Sequence, residues 1–365
     1  ACVGRIKGEQ VYCVQHEDDV NDGLITDDTS LLITASADNT VRFWDFQTGS
    51  PQDVLEYASG ILDIDINPQN DTLIAGREDG VVSVISLGVR RTVYDFNFDN
   101  GAVRIVKFHP NGEWMSLGTD EGRVRLWKVK TGLLESGPRH AAPVTSVAIS
   151  PDGKVMISTS EDSTARISRA ETGRETHVLN HPDWVEDAAF APDGSWFVTA
   201  ADDKIVRVFD TATGVEKNRM YHGSFVLKVA VSPSGFWIAS TGNDRTMRIW
   251  DAQSGTLMLE ASLDGIGSNL LFGADDTWIA VGDQSGNLTL WDISSLNTRI
   301  GHIEFPEYVN KARFDTAGNW ILVNANDRNI WKIPANQISS LHDGTLGILI
   351  LSSEQTTSQM EVSPN

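Results

Sequence analysis

Four histidines of this 365-residue chain, His16, His140, His181 and His222, stand in one repeated setting. Eighteen residues after each comes a hydroxyl, Thr34, Ser158, Thr199 or Ser240, and 22 residues after each comes an aspartate, Asp38, Asp162, Asp203 or Asp244. Histidine, hydroxyl and carboxylate are the parts of a nucleophilic hydrolase, where the carboxylate orients the imidazole and the imidazole takes the hydroxyl proton. They are equally the parts of a buried chain in which each polar group satisfies the next. Four copies in phase favour structure over catalysis. No other catalytic spacing competes: there is no HExxH, no GxSxG elbow, no phosphate-binding loop and no Cys-x-x-Cys pair. Asp-rich turns such as Asp202-Asp203 lack the five-ligand loop that calcium needs, so neither a metal nor a cofactor is expected.

The elements that must position these residues are set by a second series. Trp44, Ile85, Trp127, Ser168, Phe209, Trp250, Trp291 and Trp331 each close a β run, at spacings of 41, 42, 41, 41, 41, 41 and 40. A period that constant means repeated supersecondary units. In the stretch 222–255, residues 225–230 alternate as a strand, Ser-Pro-Ser-Gly turns, 237–240 form a second strand, 246–251 a third, and a fourth follows Gln253-Ser-Gly. Four short strands in one unit make an antiparallel sheet that cannot bury both faces alone. The units must stack radially and close into a ring, an all-β, eight-bladed β-propeller over residues 1–334. The alternative is seven blades plus a displaced unit.

Val41-Arg-Phe-Trp-Asp, Met247-Arg-Ile-Trp-Asp and Leu288-Thr-Leu-Trp-Asp resemble the third strand of WD40 repeats, and the Pro-Asp-Gly turns at 150–153 and 191–194 strengthen the likeness. That resemblance implies that His16, Thr34, Asp38 and Trp44 form one buried, turn-locking set, and that His222, Ser240, Asp244 and Trp250 form another. Two blades keep the histidine, hydroxyl and aspartate but carry Ser168 or Phe209 in place of tryptophan. Elsewhere Tyr57, Asp99, Leu263 and Phe305 stand where histidine would be.

Residues 1–15 read as the tail of a third strand followed by a fourth. The simplest closure places residues 10–15 beside 329–332 in the last blade; the alternative gives that place to a short strand at 346–351. Residues 335–365 form a tail whose polar end, 352–365, is expected to be disordered. The partial unit at the start implies that further sequence precedes Ala1. Cys2 and Cys13 would face each other across a hairpin turning at Lys7-Gly8, with free cysteines expected over a cross-strand bond. No apolar run of 18 residues and no signal-peptide core is present, which gives the expectation of a cytoplasmic protein.

Lys and Arg number 29 against 50 Asp and Glu, a formal charge of -21, so nucleic acid and anionic membranes are not expected partners. Ten of the eleven tryptophans fall into the repeat, five closing strand three and five opening strand two; Trp184 does not. By the resemblance, Trp184 and the aligned Phe225, Ile266 and Tyr308, with Leu227, lie on the top face near the channel mouth, where WD40 proteins bind peptides and proteins. The residues before the turn aspartates, Ala37, Glu78, Asp120, Glu161, Asp202, Asn243, Gln284 and Asn326, should share that face, with an acidic arc from Glu78 to Asp202. A protein or peptide with a basic segment beside an apolar anchor would match both arcs.

The wording also resembles bacterial WD40 arrays, which implies a non-enzymatic interaction scaffold at the recognition or sensor end of a longer protein. One alternative is a structural subunit of an assembly complex, working through the side or bottom of the ring. Another is a propeller enzyme, which needs histidine, acid or metal clusters from several blades to meet in the channel. The unequal sets generate a test: in native-state hydrogen exchange the blades of Trp44 and Trp250 should be the most protected, and finding them the fastest to exchange would sink the assignment.

Overall fold

Alternating apolar and polar residues, interrupted by tight turns of Gly, Asn and Asp, give strands of three to seven residues and no helix among the described residues. The computed structural model describes residues 2–6, 9–98, 101–129, 131–294, 298–305, 307–315, 318–325, 328–334 and 348–350. Eight sheets result. Blade one runs outward from Val20–Ile25 through Leu31–Ser36 and Thr40–Asp45 to Pro51–Glu56. Blades two to seven repeat this order from inner strands Ile61–Ile66, Val103–Phe108, Val144–Ile149, Val185–Phe190, Val226–Val231 and Gly267–Phe272. Blade eight begins at Lys311–Phe314, and its strands lie beside Val20–Ile25, which closes the ring.

Closure follows the expected register. Glu9–Gln15 pairs antiparallel with Asn329–Pro334, with Tyr12 opposite Lys332 and Gln15 opposite Asn329, and Cys2–Ile6 adds a fifth strand outside it. The eight sheets remove the seven-bladed alternative. Ile348–Ile350 does form a strand, but it does not complete blade eight; it runs parallel to Thr298–Glu304 at the outer edge of blade seven. Blade eight has its outer positions filled by residues 9–15 and 2–6, whereas blade seven offers an open strand edge. The expected disorder of 352–365 lies outside the described residues.

One expectation is corrected at this seam. Cys13 is disulfide-bonded rather than free, and Cys2, the other cysteine of the sequence, is its Cα partner across the ladder. The hairpin register places positions 2 and 13 directly opposite, where a bridge is within reach.

The core lies between blades. Ile33 and Phe43 of blade one pack with Ile61, Ile64 and Leu73 of blade two, and Tyr12, Val14, Leu322 and Ile330 of the last blade pack with Trp44 and Phe46 of the first. At that seam the buried Lys332 sets its ammonium 3.8 Å from the centre of the Phe46 ring and 3.9 Å from that of Trp320, and donates to the Phe46 carbonyl at 2.8 Å. A desolvated cation is tolerable there because ring faces and a carbonyl replace its water.

Nearer the axis, carboxylates stitch one inner strand to the next. Asp63 accepts the Val106 amide at 3.0 Å, Asp65 the Phe108 amide at 2.7 Å and Asp187 the Val229 amide at 3.4 Å. At the closing seam Lys311 reaches Asp22 at 2.8 Å and Asp63 at 3.0 Å, while Arg313 holds Asp22 at 2.8 Å. Cations of blade eight therefore bind acids of blades one and two. Burial pushes the Asp63 carboxyl up, but Lys107 and Lys311 outweigh it and hold the group well below the usual carboxylate range. Deleting residues 1–15 should expose the Asn329–Pro334 edge, lower the melting temperature by on the order of 10 °C and promote self-association. Circular dichroism and light scattering check this; an unchanged melting curve would place closure elsewhere.

Candidate functional site

The two complete sets form as the spacing implies. His16 Nδ1 lies 2.9 Å from Asp38 and Nε2 2.6 Å from the Thr34 hydroxyl, to which Trp44 Nε1 donates at 2.8 Å. His222 reaches Asp244 at 3.2 Å and Ser240 at 2.7 Å, and Trp250 donates to Ser240 at 2.8 Å. Burial pushes all four repeat imidazoles below their ordinary range, His181 and His222 to about 4. A neutral ring then donates Nδ1–H to the aspartate and accepts the hydroxyl proton at Nε2, leaving the hydroxyl oxygen to accept the indole N–H. Every member of the chain is satisfied.

The aspartates also pin the turns. Asp38 accepts the amides of Glu17 and Thr40, bracing Asn39 at φ 68°, and Asp244 accepts those of Gly223 and Thr246 around Arg245 at φ 56°. A left-handed non-glycine residue persists only where its surroundings fix it. Burial raises the Asp38, Asp162 and Asp244 carboxyls, and the hydrogen bonds they accept more than reverse it, so all three titrate below the usual range.

Incomplete blades diverge. His140 keeps Ser158 at 2.8 Å and Asp162 at 3.1 Å without a tryptophan. His181 keeps Thr199 at 3.0 Å but turns Nδ1 to the Leu179 carbonyl at 3.2 Å, because Asp203 is taken by the Arg207 guanidinium. The spacing of His181 and Asp203 matches the other blades, yet they form no hydrogen bond. Trp127 and Trp291, in blades where Leu117 and Val281 replace the hydroxyl, bury indole nitrogens with no hydrogen-bond partner. In blade two Arg77 takes the place of the set, pairing with Asp79 and lying 5.1 Å over the Tyr57 ring.

The other predicted residues meet on one rim. The Asp202 amide bonds the Trp184 carbonyl at 2.9 Å, Asn243 that of Phe225 at 2.9 Å and Gln284 that of Ile266 at 2.9 Å, so the two series share one face by backbone pairing. Trp184, Phe225 and Tyr308 are 46, 38 and 37% exposed, and Ile266 and Leu227 are half-buried. Each ring is thus partly open to solvent and partly packed against its surroundings. Glu78 is exposed, and Asp120, Glu161 and Asp202 are half-buried. Buried Oδ1 atoms of Asp120 and Asp202 have no hydrogen-bond partner. Asn326 lies outside the described residues.

One rim residue escaped the sequence reading. In blades one to seven the pairing of the inner strand skips its second residue, a β-bulge that frees Asn21, Leu62, Arg104, Thr145, Glu186, Leu227 and Ser268 from the ladder. Glu186 is pushed up to about 7 by burial and by the charges of Asp202, Glu161 and Asp187, against the pull of Lys228. Burial and the neighbouring Asp183 and Asp203 also raise Asp202. The signal was a column of mixed polar residues in a strand otherwise expected to be apolar.

With the geometry in hand, the family is clear. The WD domain, G-beta repeat model matches residues 2–45, 91–128, 133–167, 173–210 and 216–251, more than half of the sequence, and the chain belongs to the WD40 family. It is 32% identical over 116 residues to a guanine nucleotide-binding protein subunit beta of Oryza sativa subsp. japonica, covering 30% of each chain. It is 26% identical over 121 residues to the target of rapamycin complex subunit LST8 of Saccharomyces cerevisiae, covering 33% of this chain and 40% of that one. The chain thus spans well under half the length of these relatives. The crystal structure of the computationally designed Ika8 protein superposes with a TM-score of 0.77 at 20% identity, covering 88% of this chain and 97% of that one, a likeness of fold alone.

The depressed imidazoles give a signed pH prediction. A histidine whose folded pKa lies near 4, against about 6.5 unfolded, stabilises the fold fully above pH 6.5 and loses that contribution as pH falls towards 4. His222→Gln should melt below the wild type at pH 7, and the gap should narrow steadily between pH 6.5 and 4. A gap that stays constant or widens on acidification would contradict the neutral-imidazole chain.

Proposed function

We propose that the chain is a non-enzymatic protein-interaction scaffold that captures a protein or peptide on the rim bearing Trp184, Phe225, Ile266 and Tyr308. The carrying observation is that three large aromatic rings stand exposed along one rim beside an arc of carboxylates, two of which hold buried, unpartnered oxygens. Exposed aromatics gathered in this way are anchors, and desolvated acids favour a cation. The partner we propose presents a basic segment to Glu161, Glu186 and Asp202 and an apolar side chain to the Trp184–Tyr308 side; nucleic acid and membrane are not proposed partners. Both relatives named above are called subunits of larger assemblies, which supports a binding role.

An enzymatic reading has little support. The histidine side chains of the three sets that keep their aspartate are fully buried, one set to a blade, and bonded within the blade. Among the described residues no group of three or more His, Cys, Asp or Glu is placed to hold a metal ion. The assembly-subunit reading is favoured by one observation: Phe236, on the opposite rim, is 72% exposed. Attachment to a longer bacterial signalling protein stays a proposal resting on repeat wording. A cytoplasmic setting is likewise proposed, with the Cys13 disulfide as the observation against it.

Selection of peptides from a display library separates the readings. Trp184→Ala with Tyr308→Ala should abolish enrichment of basic-apolar peptides without changing the melting temperature, while Phe236→Ala leaves it intact. Enrichment that survives the first pair refutes the rim. Because Glu186 loses its charge as pH falls through about 7, binding of a selected basic peptide should weaken from pH 8 to pH 6, and Glu186→Gln should flatten that dependence.

A further inference from the structure

The axial channel holds a cavity of about 480 Å³ to which all eight inner strands contribute. Its wall carries five cations, Arg104 and Lys107 from blade three, Lys228 from blade six, and Lys311 and Arg313 from blade eight. Such a concentration runs against a chain of formal charge -21. The acids nearby are largely committed. Asp22 and Asp63 bind Lys311 and Arg313, and Asp65 and Asp187 hold backbone amides of the following blade.

Three cations remain with spare hydrogen-bonding capacity. Lys107 approaches Asp63 only to 3.7 Å, and Arg104 and Lys228 form no ion pair among the described residues. Arg104 is the bulge residue of its blade, released from the ladder at the channel mouth, and Lys228 projects from a strand three blades away. Asn269, also in the wall, buries a side-chain oxygen without a hydrogen-bond partner, an acceptor that suits a hydroxyl or water accompanying the ligand rather than its anionic oxygens. The volume falls in the range of small-molecule sites and would hold about fifteen waters.

We propose that this channel binds a compact multivalent anion, a small molecule carrying two or more phosphate or carboxylate charges, held between Arg104 and Lys107 on one wall and Lys228 on the other. A single charge would satisfy one wall only; a molecule charged at both ends spans the void. Ammonium and guanidinium donors that are partly removed from water attract such a ligand more strongly than the same groups on an open surface. The site adjoins the rim, since the Lys228 charge acts on the Glu186 carboxyl, but the ligand is of opposite charge to the one proposed for the rim, so the two readings fail separately.

The test is calorimetric titration of the whole chain with tripolyphosphate and, separately, citrate, at fixed ionic strength. One or both should bind saturably with one equivalent per chain; a response to tripolyphosphate alone assigns phosphate chemistry and to citrate alone carboxylate chemistry. Arg104→Gln combined with Lys228→Gln should weaken binding at least tenfold. Lys228→Arg, which keeps the charge, and the exposed-surface control Arg174→Gln should bind as the wild type does. All three substituted side chains are exposed or half-buried, and an unchanged circular dichroism melt confirms that the variants fold. Failure of both anions to bind, or full affinity in the Arg104/Lys228 double variant, overturns the proposal.

Discussion

A blade of four strands leaves two faces and one outer edge uncovered, and the ring removes the faces only if its last blade meets its first. Everything else depends on that meeting. The channel exists only in a closed ring, and the rim is continuous from Trp184 to Tyr308 only because blade eight holds its place. Three kinds of interaction converge there: the ladder from Tyr12 to Gln15, the Lys332 ammonium among Phe46 and Trp320, and the Lys311 and Arg313 bonds to Asp22 and Asp63. The first is backbone and carries no specificity; the other two fix which surfaces meet. Removing a partner from a buried cation costs more than the pair contributes, so these contacts enforce register as much as they add stability.

Stability within the ring is distributed unequally. Where Thr34 or Ser240 stands beneath the indole, the polar chain from tryptophan to aspartate is complete; where Leu117 or Val281 stands there, the indole nitrogen of Trp127 or Trp291 is buried without a partner. An unsatisfied buried donor costs about 1–3 kcal/mol, so tryptophans at identical positions contribute unequally. The complete sets fall in blades one and six. Blade one abuts the closing seam, where local opening would do most damage.

Much of this was legible in the sequence, because a fixed period aligns positions that must share an environment. The blade count and the closing strand follow from offsets within one unit, while the two complete sets and the rim position of Trp184 were implied by the WD40 resemblance of the aligned residues. What the offsets missed depends on neighbours in other columns. His181 and Asp203 have the expected spacing, but Arg207 competes for the carboxylate, and a pairwise rule cannot see a third party. The hairpin register opposite Cys13 was legible but the oxidation of its thiol was not, and the placement of Ile348–Ile350 depends on which outer edge remains open. Neither is encoded in the repeat. Glu186 and the channel cations were hidden because strands were read for apolar alternation and their polar residues passed over.

The bulge explains how those polar residues are tolerated. Skipping the second residue of each inner strand lets two neighbouring positions point into different surroundings, where regular pairing would place them on opposite faces of one sheet. The third position is then free to stitch blades, as Asp63 and Asp187 do, while the second varies from Asn21 to Arg104 to Glu186 to Leu227 without disturbing the ladder. Interblade stitching and surface chemistry are therefore carried by adjacent residues with little mutual constraint. That separation accounts for a chain of strong negative charge that has an acidic rim at blades two to five, an aromatic rim at blades five to eight and a cationic wall between them. A field so divided over one ring needs no change of fold to alter its surface chemistry; it needs only a change in the skipped column.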